Sequence, residues 1–298
     1  VVVSGVGIVV VLHDSTDDLR RLLASLAAVV PTPHVVVVDA GSRDGSGLQL
    51  ARDWGAEAID AGDVGFGAAN NIGLDAITAT TTLLLNPDIV VGDPAVVEKL
   101  ARHARREDAL HVPRLLNPDG SVQRSAHPLP GRPAALLPAL VHPRALPATL
   151  RHVADPWRAE APDDRRVGWA IAAAVAARTA TLRRLGPFDP GQFLFYEDLD
   201  LCLRARAAGV PTILHPKLAM EHRGGHSTGP AYGGEPHVLL ARRRREVVAA
   251  NLGPRAARWD DAAQALTFAS RAAARTALRR GGGREWAQLR ALLAARRG

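Results

Sequence analysis

The chain has 298 residues, 47% of them hydrophobic, enough for one large domain or two small ones with a substantial core. Cys202 is the single cysteine, which excludes an intramolecular disulfide and fits a reducing compartment. The formal net charge is +7, yet residues 238–298 alone hold 14 arginines against 4 acids. The basic character therefore belongs to the C-terminal segment, and a whole-chain nucleic-acid reading is excluded.

In chain order, Val6–Leu12 is a continuous apolar run, as expected of a strand buried on both faces. It has no basic leader or small-residue cleavage site, so it reads as a strand rather than a signal peptide. No later stretch is long and apolar enough to span a bilayer. Asp17–Val29 has helical spacing, with Leu19, Leu22, Leu23 and Leu26 on one face. Val35–Val38 is a second strand, Gly45–Trp54 a helix, Ala56–Ile59 a short strand, Ala68–Ala79 a helix and Thr81–Leu85 a strand. This alternation predicts parallel βαβ units, which bind ligands beyond the carboxyl ends of their strands. Residues 124–165 carry eight prolines and read as a loop or lid. Val167–Arg178 is again apolar, and from Val238 onward the pattern is helical, broken at Gly281-Gly282-Gly283.

Three strand ends carry candidate chemistry. Asp39-Ala40-Gly41-Ser42 follows the second strand. Its carboxylate can accept hydrogen bonds from a base or ribose, or the segment is a capped turn with Asp44 or Ser46 as N-cap. Gly65-Phe66-Gly67-Ala68-Ala69-Asn70-Asn71 is small enough to pack on a nucleotide, or is a tight helix start whose asparagines cross-link loops. Asn86-Pro87-Asp88 places a carboxylate where Mg²⁺ or Mn²⁺ could be held beside a diphosphate, or forms a simple turn. A GxGxxG fingerprint and a Walker A lysine are both lacking, which argues against a nicotinamide cofactor and a P-loop NTPase.

The most informative segment is Glu197-Asp198-Leu199-Asp200, which follows the apolar run Phe193–Tyr196 and begins a helix-like stretch. Acids favour a helix N-terminus, but an aromatic approach desolvates them and raises their pKa values, as suits a general base. Farther on, His222 is followed by Arg223-Gly224-Gly225-His226-Ser227-Thr228, a composition suited to a metal or phosphate site. His215 reads as structural, and His13 follows the first strand near the expected base pocket.

Together and in this order, these segments resemble the family 2 glycosyltransferases of GT-A fold, and most of all the bacterial rhamnosyltransferase-like branch. The stretches IVVVLHDSTDDLRRLLASL, VVVVDAGSRDGS, GFGAANNIG, LLLNPD and LGPFDPGQFLFYEDLDLCLRARAAG, with His222, carry the likeness over about residues 6–228. The resemblance implies an α/β, mainly parallel mixed sheet flanked by helices over 1–237, with an Arg-rich helical extension over 238–298. It implies inverting transfer of a sugar, such as rhamnose, from a nucleotide-diphosphate donor to a hydroxyl of a saccharide or polyprenyl-linked cell-envelope glycan. By matching position, Asp39, Gly41, Ser42, Gly67 and Asn71 would line the donor site. Asp88 and His222 would hold Mg²⁺ or Mn²⁺, Asp198 would be the general base with Glu197 its acidic neighbour, and Asp200 would orient the helix with Arg204. Trp169 and the 124–165 stretch would border the acceptor. His13-Asp14, Ala40 and Asn86 depart from the usual pattern. The depleted metal motif leaves a nucleotide-sugar-binding protein without turnover as the alternative.

In the extension, Arg271, Arg275 and Arg279 recur at helical spacing, with Trp259, Leu266 and Ala273 near the other side, while Trp286, Leu289 and Leu293 continue an apolar face. Such helices either lie on an anionic membrane surface or pack on the catalytic domain or a second subunit. The expected location is cytoplasmic, peripheral on the inner face of the cell membrane; a homo-oligomer is compatible with the chain.

Overall fold

The computed structural model describes residues 3–29, 31–132, 136, 141, 147, 163–189, 195–224 and 236–296. Strands β1 (Val3–Leu12), β2 (His34–Asp39), β3 (Glu57–Asp60) and β4 (Ala79–Leu85) alternate with helices α1 (Thr16–Leu26), α2 (Ser46–Trp54) and α3 (Phe66–Ala76). Then follow β5 (Ile89–Val90), α4 (Ala95–Arg106), β6 (Leu110–Leu116), β7 (Ala126–His127), β8 (Arg165–Val167), β9 (Trp169–Ala170) and β10 (Ala174–Arg178). The last elements are α5 (Thr179–Leu185), α6 (Glu197–Ala207), β11 (Thr212–His222), α7 (His237–Leu252), α8 (Pro254–Ala277) and α9 (Gly283–Ala295).

The main sheet runs β3-β2-β1-β4-β10-β6-β11-β5, with β8 also on β11, while β7 and β9 form a separate pair. Pairings among β3, β2, β1 and β4, and between β6 and β11, are parallel; β10 lies antiparallel between β4 and β6. Because side chains alternate across a strand, Ile8, Val10 and Leu12 meet α1, α2 and α4, whereas Val9 and Val11 face the other way, toward α3, α5 and α6. Burial on both faces is what the unbroken apolar runs of β1 and β2 require.

The expected elements form, with shifted ends. Helix α3 starts at Phe66 rather than Ala68 and stops at Ala76, because Ile77 is already extended (φ −71°, ψ 127°) and leads into β4. The N-cap of α2 is Gly45, and Asp44 contributes by accepting the Ser46 N–H at 2.9 Å. Within 124–165, the described residues supply β7, whose His127 pairs with Trp169, and the start of β8; most of the proline-rich stretch lies outside the described residues.

The C-terminal helices pack on one another and on the sheet domain. Val247 and Val248 of α7 and Ala257 of α8 belong to the same core as α6. Two buried acids of the extension draw in three of its arginines. Arg244 grips the buried Asp260 with two bonds of 2.7 and 2.9 Å, and Arg245 and Arg296 both reach the buried Asp261. Among the described residues, no helix is long and apolar enough to cross a membrane.

Candidate active site

The parallel strands deliver their carboxyl ends to one edge. Leu12 is opposite Asp39 in register, and Asp39 is opposite Asp60. Asp39 is buried, and its Oδ1 accepts the Ser42 N–H at 2.8 Å, which folds the β2–α2 turn back over the strand end. Ser42 Oγ accepts the Asp14 N–H at 3.0 Å, and Asp14 in turn receives the Arg43 guanidinium at 2.7 Å. His13 Nδ1 lies 2.9 Å from the Ala40 carbonyl. Asp39, Gly41 and Ser42 thus belong to one cross-braced pair of loops. Gly41 sits at φ +82°, and a Cβ there would come within 3.0 Å of the Asp63 backbone, so glycine is demanded by conformation and space together.

Gly67 and Asn71 both meet Phe188. A Cβ on Gly67 would lie 2.9 Å from Phe188 Cβ. The Asn71 amide donates to the Phe188 carbonyl at 2.8 Å and accepts the Phe188 N–H at 3.2 Å. Both groups of the asparagine are used to staple α3 to the 186–189 turn, the loop-linking role that its sequence context allowed.

Asp88 and His222 do come together, although they are far apart in sequence, because β5 pairs with the end of β11 and sets His222 opposite Ile89. Asp88 Oδ1 lies 3.4 Å from His222 Nε2, is buried, and has no hydrogen-bond partner; Oδ2 accepts the Gly224 N–H at 2.9 Å. Burial alone would raise this carboxyl, but His222 and the Gly224 N–H more than offset it and hold it below the ordinary range. Gln123 Oε1 takes the His222 Nδ1–H at 2.7 Å; the protonated ring turns Nε2–H toward Asp88 and so favours its ionised form, whereas the neutral ring offers an Nε2 lone pair there. A bare carboxylate oxygen and an imidazole lone pair at this spacing fit adjacent ligands of one divalent ion, whose bonds of about 2.1 Å place neighbouring ligands about 3 Å apart. The residues His226, Ser227 and Thr228 lie outside the described residues. Gln123 carried no sequence signal: it stands alone in a polar turn, and only the fold brings it to His222.

The acidic cluster opens α6. Phe195 (φ +74°) and Tyr196 (φ +65°) are both left-handed, a costly conformation for two consecutive non-glycine residues, and they turn the chain sharply into the helix. Glu197 is buried with Oε1 unpartnered; burial, with the neighbouring Asp198 charge adding to it, lifts its carboxyl to about 7. Asp198 is half-buried and accepts the Leu199 N–H at 2.7 Å. Burial lifts its carboxyl to about 6, although N–H groups of Leu199 and Ala172 favour the ionised form. Asp200 is engaged otherwise, holding Arg204 at 2.6 Å and Asn251 of α7 at 2.9 Å, which makes it structural.

Beside this cluster is a cavity of about 220 Å³, bordered by Arg124, His127, Trp169, Tyr196, Arg244 and Arg271 among others. His127 stacks on Trp169 with ring centres 4.1 Å apart, and Tyr196 packs at 6.3 Å. The Arg244 guanidinium lies 5.8 Å from both the Trp169 and Tyr196 ring centres. Trp169 Nε1 is buried without a partner. Arg244 was not legible as a site residue, because it sits in a run of four arginines that reads as a solvated face.

Beside an acid pair of raised pKa on α6, a metal-compatible Asp–His pair and a strand-end aspartate, the sequence also matches, over residues 4–249, the family described as glycosyltransferase like family 2. The chain belongs to this family. It is a glycosyltransferase. Its relatives include the N-acetylglucosaminyl-diphospho-decaprenol L-rhamnosyltransferase of Mycobacterium tuberculosis, 28% identical over 245 residues (74% of this chain and 77% of the relative). The rhamnosyltransferase WbbL of Escherichia coli is 25% identical over 228 residues (74% and 83%). Among solved structures, the mannosyltransferase PcManGT of Pyrobaculum calidifontis, in complex with GDP-Man and Mn²⁺, superposes with a TM-score of 0.59 at 15% identity. That match covers 98% of this chain and 86% of the other. A structure of TarS from S. aureus gives a TM-score of 0.53 at 14% identity, covering 91% and 73%. These likenesses establish the GT-A fold of the glycosyltransferase.

Proposed function

We propose that this glycosyltransferase moves a hexose, rhamnose foremost, from a nucleotide-diphosphate donor to a hydroxyl of a polyprenyl-linked saccharide, with inversion at the anomeric carbon. The observation that carries the reading is Asp198, a largely buried carboxylate of raised basicity at the head of α6. With a pKa of about 6 it is roughly nine-tenths ionised at pH 7, so it is both present as a base and strong enough to take an acceptor hydroxyl's proton during in-line attack. Glu197, at about 7, is poised to hold a proton beside it and to orient the acceptor as a hydrogen-bond donor. Asp39 and the braced turn behind it bind the base or ribose, and Trp169, itself buried, shapes the wall of the neighbouring cavity. Asp88 and His222 hold Mg²⁺ or Mn²⁺, which when bound neutralises the charge that develops on the leaving diphosphate. Rhamnose and the polyprenyl carrier are suggested by what the bacterial relatives are named for.

The test is a panel of nucleotide sugars, dTDP-rhamnose included, incubated with polyprenyl-diphosphate-linked N-acetylglucosamine and Mg²⁺ or Mn²⁺, with the product's anomeric configuration read by NMR. Transfer with inversion is expected. Retention of configuration overturns the single-displacement role of Asp198, and donor binding without transfer to any acceptor of the panel overturns the enzymatic reading in favour of a binding protein.

The extension over 238–298 is read as the surface that meets the carrier's membrane. Trp259, Leu266, Leu278, Trp286 and Leu293 are exposed on it, and Arg258, Arg275, Arg279 and Arg290 are exposed with them. Sedimentation with anionic vesicles, lost with neutral ones and weakened by Trp259→Ser with Trp286→Ser, is the expected result.

A further inference from the structure

Away from the donor edge, at the opposite end of the sheet, three histidines converge. His103 comes from the last turn of α4, His111 from the start of β6, and His215 from the middle of β11 beside its register shift. Each can offer one ring nitrogen such that the three atoms lie within 4.8 Å of one another. His111 and His215 are each only 1% exposed. The transfer chemistry uses none of them, and the sequence reading treated His215 as structural.

With the His215 proton on its Asp164 side, the hydrogen-bond arithmetic of this cluster does not close with neutral imidazoles alone. His111 Nε2 faces the Glu107 carbonyl at 3.1 Å, an atom that can only accept, so that nitrogen carries the proton and Nδ1 carries the lone pair. His215 Nδ1 lies 3.0 Å from the Asp164 carboxylate, in ion-pair contact but without a hydrogen bond; with its proton on that side, Nε2 has the lone pair. These two lone-pair nitrogens then confront each other at 2.9 Å. Two buried lone pairs at that distance repel unless a cation sits between them. A shared proton needs only two nitrogens, yet the fold brings a third imidazole over the pair, with the His103 ring centre 4.1 Å from that of His215.

We propose that His103, His111 and His215 form a structural site for Zn²⁺ or a similar late first-row transition ion, which ties α4 to β6 and β11. Three imidazoles are a suitable donor set for such an ion, and the Glu107 carbonyl and Asp164 carboxylate orient two of the rings from behind. Tetrahedral bonds of about 2.05 Å set adjacent nitrogens about 3.3 Å apart, so the facing pair opens by a few tenths of an ångström on binding. A water completes the fourth position.

The test uses the full chain, stripped with chelator and titrated with Co²⁺ and with Zn²⁺. Asp88→Asn serves as background, so that the donor-edge Asp–His pair contributes nothing. One Co²⁺ per chain with the intense visible spectrum of a tetrahedral site is expected. Zn²⁺ at a hundredfold excess over Kd should raise the melting temperature by about 5 °C. His215→Gln should abolish both signals. His103→Gln, on the half-exposed face of α4, leaves the core intact and should weaken Co²⁺ at least tenfold. A missing tetrahedral spectrum, or a spectrum untouched by His103→Gln and His215→Gln, overturns the site. A downfield proton resonance shared by His111 and His215 in that case identifies a proton as the bridging cation instead.

Discussion

Glu197→Gln should make the folded protein more stable, and more so at high pH. The wild-type carboxyl is buried with one oxygen unpartnered, and burial lifts it from an ordinary 4.5 to about 7. A carboxyl raised in the fold contributes stability that is fully present below 4.5 and is lost as pH rises through about 7, because the folded state must then either ionise it in poor solvent or keep a proton the unfolded chain has released. Taken between those two values, the penalty is on the order of 3 kcal/mol at pH 8 and about 1 kcal/mol at pH 5. Glutamine is nearly isosteric and does not titrate, so it removes the penalty at both. Any fixed cost of the buried amide is common to the two conditions and cancels in their difference. At roughly 2 °C per kcal/mol for a chain of this size, the variant's advantage in melting temperature should be about 4 °C larger at pH 8 than at pH 5. Thermal melts by circular dichroism of both proteins at the two pH values measure it. An advantage that is equal at both, or larger at pH 5, refutes the claim that burial perturbs Glu197.

Asp198→Asn keeps the fold and should lower turnover by about 10²–10⁴-fold, the usual worth of a general base, measured by labelled-sugar transfer at saturating donor. In the wild type, the rate should fall roughly tenfold between pH 7 and pH 5 as Asp198 takes up its proton at about 6; a flat profile would count against it as base. Asp88→Ala should abolish Mn²⁺-dependent donor binding by calorimetry. Arg244→Ala leaves the nearly inaccessible Asp260 without its two-bond partner and should cost about 3–5 kcal/mol in chemical denaturation.

Where periodicity and chain order carry information, the sequence was legible. The unbroken valines of β1 and β2 announce burial on both faces, and the leucines of α1 announce the helix that covers one of them. Asp198 was legible because its aromatic approach already implies desolvation, and Asp200 because Arg204 stands one helical turn away. Strand β10 was not: its insertion antiparallel between β4 and β6 depends on partners distant in sequence, and an apolar stretch of alanines and valines does not state its direction. The partners of Gln123 and Asn71 are 99 and 117 residues away, so no local pattern could reveal what their amides hold. The arginines of the extension were legible only in part. Helical spacing pointed to the stripe of Arg271, Arg275 and Arg279, and the last two are exposed, but no spacing announces that the buried acids Asp260 and Asp261 recruit Arg244, Arg245 and Arg296 inward.

Arg244 belongs to the extension by sequence, yet its guanidinium stands against the Trp169 and Tyr196 rings and is anchored from α8 by Asp260. The C-terminal helices therefore cannot be cut away to learn what they attach to. Shortening the chain at residue 238 would remove the proposed vesicle contact and one side of the cavity beside α6 in the same stroke, and a loss of transfer would be uninterpretable. On the proposed reading, lipid attachment and catalysis share a single mechanical part. Only substitutions on its outer surface, such as Trp259→Ser, can separate the two.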